Sequence, residues 1–168
     1  MKVRLLCSLF VLGILTSARC ESPSWEDIEN LLGKSIASKE VLRFLETNRL
    51  NRHWNTNMTV FENVKESPFV LVCGSNVVEE VAIALWKYEF MNVEPYSQKI
   101  AHRISREDTL DTVVQSFGQP TRQAFHHGLI EAYYPKSRLL FTFDKKSRCL
   151  HEVVIYKEGR GPRSRLLQ

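Results

Sequence analysis

Two stretches of this chain, FVLVCGSNVVEEVAIAL at residues 69–85 and LLFTFDKKSRCLHEVVIYK at residues 139–157, decide how the fold is read. Laid on each other, they set Phe69-Val70-Leu71-Val72-Cys73 against Leu139-Leu140-Phe141-Thr142-Phe143, and Glu80-Val81-Ala82-Ile83 against Glu152-Val153-Val154-Ile155. Each is a run of β-branched and aromatic residues, a polar turn, and another such run. That pattern predicts an antiparallel hairpin in both places.

Upstream of each stretch the pattern changes to helical spacing. Ser105, Arg106, Glu107 and Asp108 offer an N-cap and an acidic first turn. Leu110, Val113, Val114 and Phe117 then recur at i, i+3, i+4 and i+7 until Gly118 and Pro120 stop the helix. Ser24-Trp25-Glu26-Asp27 begins the same way, with Ile28 and Leu32 continuing the apolar side up to Gly33. A further helical segment is predicted from Ser38 to about Asn48, with Val41, Phe44 and Leu45 on one side, and a polar loop over 51–58. Strands are expected at about 123–125, 129–134, 138–143 and 149–157, separated by His127-Gly128, Pro135-Lys136 and a turn over 144–147. The expected fold is therefore α+β, built as two tandem helix-plus-antiparallel-sheet units: residues 21–90, a connection over 91–104, and residues 105–157.

The first 20 residues have the layout of a secretory signal peptide: Lys2 and Arg4, an apolar run over 5–15, then Thr16, Ser17 and Ala18, with cleavage expected near 18–20. That run is too short to span a bilayer, which takes about 20 apolar residues, and no later segment is longer. The expected location is secreted, either extracellular or periplasmic. Arg19 stands where a lipoprotein has a small residue, which disfavours lipid anchoring at Cys20. An oxidising compartment makes a Cys73–Cys149 disulfide the expectation. In a eukaryotic host Asn57-Met58-Thr59 would be a glycosylation acceptor. The formal charge of +4 is modest, and part of it lies in the basic tail, residues 158–168, with Arg160, Arg163 and Arg165. The tail reads as a flexible solvated end, with contact to an acidic surface as the alternative.

A helix ending in Phe117-Gly118-Gln119-Pro120, a Tyr133-Tyr134 strand, a Phe141-Thr142-Phe143 strand and a last strand Val153-Val154-Ile155-Tyr156 resemble the small BamE/SmpA-type domains of bacterial cell envelopes. Doubling such a unit resembles the architecture of the β-lactamase inhibitory proteins. The resemblance implies a scaffold whose sheet face or loops grip another protein, with no catalytic centre.

The chemistry-bearing residues agree with that expectation. His126 and His127 are adjacent, and neighbours on a strand point to opposite faces, so together they do not make a metal site. His53, His102 and His151 lack ligand spacing. No nucleophile elbow or phosphate loop is present. Cys73 occupies the place of Phe143 in the other stretch, which reads as packing. Basic residues are scattered, and this speaks against nucleic acid as a partner. Alternation along 129–134 and 149–157 puts Leu129, Glu131 and Tyr133, and Leu150, Glu152, Val154 and Tyr156, on one side. Tyrosines mixed with carboxylates suit protein contact, so Glu131, Tyr133, Glu152 and Tyr156 are the candidate contact face on an exposed side of the sheet. The reading is a secreted non-enzymatic protein-binding or inhibitory module without catalytic residues, metal or cofactor. The alternatives are a structural component of a cell envelope and a small hydrolase using His126 or His127.

Overall fold

The computed structural model describes residues 22–55, 58–159 and 161. In chain order the elements are helices α1 (Trp25–Glu29) and α2 (Lys39–Thr47), strands β1 (Asn51–Asn55), β2 (Met58–Glu62), β3 (Phe69–Gly74) and β4 (Val77–Ala84), and helix α3 (Leu110–Phe117). Strands β5 (Arg122–His126), β6 (Leu129–Tyr134), β7 (Leu139–Asp144) and β8 (Leu150–Tyr156) complete the sequence, with a 3-10 turn at Pro135–Ser137.

The eight strands form one antiparallel sheet in the order β1-β2-β3-β4-β8-β7-β6-β5. This overturns the expectation of two tandem helix-plus-sheet units. The molecule is mostly β, with three short helices among the described residues and one core cluster that draws on every helix and on strands from both ends of the sheet. The physical reason lies in β4 and β8. Val81, Ala82 and Ile83 on one strand, and Val153, Val154 and Ile155 on the other, have no exposed surface. Strands that are apolar on both faces belong in the middle of a sheet, and β4 and β8 satisfy each other by pairing, Val81 opposite Ile155 and Ile83 opposite Val153.

Both expected hairpins form, as β3–β4 and β7–β8, and another joins β5 to β6. The β3–β4 turn has Ser75 and Asn76 at φ 51° and 63°, and the β5–β6 turn has His127 and Gly128 at φ 42° and 85°. Positive φ at both central residues makes two-residue turns whose twist matches the flanking strands. Each hairpin of the central pair carries a bulge. Val72 faces Glu80 while Cys73 faces Val78, and Thr142 faces Glu152 while Phe143 faces Leu150, so Glu79 and His151 are the extra residues.

All three helices pack on one side of the sheet. Trp25 and Ile28 of α1, Val41, Phe44 and Leu45 of α2, and Leu110 and Val113 of α3 join Phe69, Leu71, Ile83, Phe141 and Ile155 in that core. The cap at Ser24 forms as read. Ser24 Oγ accepts from the Asp27 N–H at 3.2 Å, and the Asp27 carboxylate accepts from the Ser24 N–H at 3.1 Å. Helix α2 lies between Ser38 and Asn48, its apolar side buried as expected. Helix α3 departs from expectation. The Ser105–Asp108 pair closes a turn, the Asp108 carboxylate accepting from the Ser105 N–H at 2.8 Å, and Thr109 is the N-cap. Thr109 bridges to Cys149, the Leu110 N–H donating to the Arg148 carbonyl at 3.2 Å, and this tertiary pairing sets where the helix can begin. The polar loop expected over 51–58 contains β1 instead. An edge strand has one ladder to satisfy and tolerates polar side chains, which hides it from apolar periodicity.

Cys73 and Cys149 are free thiols, which corrects the expected disulfide. Cys73 faces Val78 at the start of β4, whereas β8, which follows Cys149, begins against the end of β4, where Ala84 faces Glu152. Six residues of strand separate those positions, about 20 Å at roughly 3.3 Å per residue, well beyond the ~7 Å that a disulfide can bridge.

Candidate functional site

The opposite side of the sheet holds the expected contact residues. Glu131 faces Thr142, Thr142 faces Glu152, and Glu152 faces Ala84, a row across four strands. Two residues along each strand lies a second row of Tyr133, Leu140, Val154, Ala82 and Val70, and beyond it a third of Tyr156, Glu80, Val72 and Val60. Glu131, Tyr133, Glu152 and Tyr156 therefore do share one face. Leu150, read onto it by simple alternation, belongs to the opposite core because the bulge at His151 switches the phase of β8.

Accessibility differs from the expectation of an exposed side. Glu80, Glu131 and Glu152 retain 1%, 4% and 2% of their surface, and Tyr156 is buried as well. They sit in a second apolar cluster of Val70, Val72, Ala82, Leu140, Val154 and Tyr156, to which Met58, Val60, Val64 and Tyr133 add from the rim. Among the described residues no helix contributes to this cluster. Burial raises the Tyr156 phenol above its ordinary pKa, keeping it protonated. Tyr133 donates to Glu131 Oε2 at 2.7 Å, His126 Nε2 stands 3.8 Å from the same oxygen, and the Arg122 guanidinium lies 5.5 Å from the centre of the Tyr133 ring.

Two features escaped the sequence reading. Glu80 joins the face, a position signalled by its alignment with Glu152. The other feature is an aromatic cluster where the chain leaves β4. Trp86 stacks on His151 with ring centres 4.9 Å apart, Tyr88 meets His151 edge-on at 6.1 Å, and Phe90 stacks on Tyr88 at 5.4 Å. Trp86 and Phe90 remain 47% and 48% exposed. Burial, reinforced by the nearby Glu152, raises the Tyr88 phenol and holds it protonated, and that proximity ties the cluster to the carboxylate face. Aromatic residues three to a loop were visible in Trp86, Tyr88 and Phe90, but their grouping around His151 depends on the β8 bulge.

The remaining candidates are placed as follows. His127 sits in the β5–β6 turn and His126 ends β5, so the two do not converge. Among the described residues no three His, Cys, Asp or Glu side chains gather as a metal site, and no helix is long and apolar enough to cross a membrane. Asn57, Cys20 and the leader lie outside the described residues, as does the tail apart from residues 158, 159 and 161. Comparison with protein-family models, with curated proteins and with solved structures finds no match to this chain.

Proposed function

We propose that this chain is a secreted, non-enzymatic module that binds or inhibits another protein through the accessible rim, Tyr133 with Met58 and Val60, of the sheet face that holds Glu131, Glu152 and Tyr156. The observation that carries the reading is the gathering of these residues, with Glu80, into adjacent rows on the side of the sheet that no described helix covers. Tyrosines give large contact area at little entropic loss, and the buried Glu131 carboxylate fixes the Tyr133 hydroxyl by accepting from it at 2.7 Å. The half-buried Tyr133 and the rim residues Met58 and Val60 are the accessible part of the surface.

The test is affinity capture from the compartment in which the protein resides, followed by binding measurements with the purified partner. Tyr133→Ala is expected to weaken binding at least tenfold while leaving the melting temperature within a few degrees. Unchanged affinity removes this face from the proposal. A second reading, a small hydrolase, has less behind it, because Glu131 stands 3.8 Å from His126 Nε2, beyond the distance at which a carboxylate orients an imidazole base. Hydrolysis of ester or peptide substrates that disappears in His126→Ala, with the fold intact, would favour that reading over the first.

A further inference from the structure

We infer that the cluster of Trp86, Tyr88, Phe90 and His151 is the anchor site of the proposed binding face, and that it takes a cationic side chain, a guanidinium or an ammonium, from the partner protein. The inference rests on the protein-binding reading and adds the chemistry of what is bound.

Three observations converge on it. The first is polarity. The Tyr88 hydroxyl and His151 Nδ1 are both buried, and neither has a hydrogen-bond partner among the described residues. A buried polar atom left unpaired keeps the full cost of its lost solvation, and two in ring contact with each other mark a place built for a polar group. Tyr88 oxygen can accept, and so can His151 Nδ1 when the proton is on Nε2, so each calls for a donor.

The second is charge. The acidic groups that act on the pair are Glu152 on Tyr88 and Asp144 on His151, and Asp144, held below its ordinary pKa by its hydrogen bonds, is negative. Lys87, the nearest cation in sequence, is committed to Glu94. A donor entering here therefore gains by being positively charged.

The third is shape. Trp86 and Phe90 leave nearly half their surface open on either side of Tyr88 and His151. Exposed aromatic faces attract ammonium and guanidinium groups, Trp most strongly. The partly open hollow lined by Val64, Ser67, Tyr88 and Phe90 has about 10 Å³, room for one water, so the incoming group lies over the rings and addresses the buried Tyr88 oxygen through a bridging water.

The experiment uses the full chain and a defined probe. N-acetylarginine methylamide is titrated at constant ionic strength while the Trp86 indole N–H and the His151 ring protons are followed by NMR. N-acetylcitrulline methylamide, of nearly the same shape but neutral, is the control. The expected result is saturable shifts at both residues with a dissociation constant on the order of millimolar, as befits a single side chain, and at least tenfold weaker binding of the citrulline compound. Trp86→Ala and Tyr88→Phe should each lose most of the arginine response, and Trp86 is exposed enough for its replacement to leave folding alone. Equal binding of the two compounds, or no saturable shift, overturns the inference. Should the arginine response fail while Tyr133→Ala still weakens the captured partner, the docking face stands and only the anchor is lost. An arginine response without any capturable partner has the opposite meaning.

Discussion

His151 is held between Trp86 and Tyr88, and burial lowers its pKa below the ordinary imidazole value, with Asp144 opposing more weakly. The unfolded chain takes up its proton first as pH falls, so the contribution of His151 to stability is intact above the ordinary value and declines as pH drops toward the folded one. Urea midpoints measured at about pH 7.5 and about pH 5 should differ less in His151→Gln than in the parent chain; an equal difference in the two proteins would remove His151 as a cause. A second test at this scale concerns the thiols. Burial, reinforced by the charge of Glu79, pushes the Cys73 thiol up to about 12, whereas Cys149 is half-buried and borders an open groove with Leu85, Trp86 and Pro95. Peptide mapping after iodoacetamide treatment should find Cys149 modified in the folded protein and Cys73 modified only after denaturation. Rapid labelling of Cys73 would contradict its place in the core.

Among the elements, the β3–β4 hairpin has the most demanding geometry. Ser75 and Asn76 both adopt positive φ, a conformation that Asn-Gly reaches with less strain. The double change Ser75→Asn and Asn76→Gly should stabilise the fold by about 0.5–1 kcal/mol in denaturant unfolding, and destabilisation would mean that Ser75 or Asn76 makes a contact worth more than the strain. Gly74 is constrained differently. A Cβ there would meet the Glu79 carboxylate at 2.5 Å, because the bulge turns Glu79 back over the strand end. Gly74→Ala should therefore lower stability by roughly 1–3 kcal/mol, and the loss should shrink in a Glu79→Ala background. The β7–β8 turn is tighter in its hydrogen bonds. Asp144 accepts from the backbone of Lys146 and Ser147 and from the Ser147 hydroxyl, and these bonds hold its carboxyl below its ordinary pKa.

On the scale of the whole molecule, the seam between β4 and β8 joins the sheet into one cooperative body. Ile83 on that seam contributes to a core shared with α1, α2, α3 and β7. Ile83→Ala should remove about 2–5 kcal/mol and still unfold in a single transition seen alike by circular dichroism and fluorescence; two separated transitions would mean that the halves of the sheet fold independently. Much of this organisation could be read before any coordinates. The two central hairpins, the helix between Ser38 and Asn48, the cap at Ser24 and the alternation that sets Glu131 with Tyr133 and Glu152 with Tyr156 follow from local rules: apolar period, turn residues and side-chain alternation, each of which acts within about ten residues of chain. The rest depended on partners distant in sequence. The joining of β4 to β8, the start of α3 at Thr109, the separation of Cys73 from Cys149, the bulge that sends Leu150 inward and the gathering of Trp86, Tyr88 and Phe90 around His151 are all outcomes of strand pairing. Pairing satisfies backbone groups whatever the local sequence prefers, and a one-residue shift in its register decides which face every following side chain occupies.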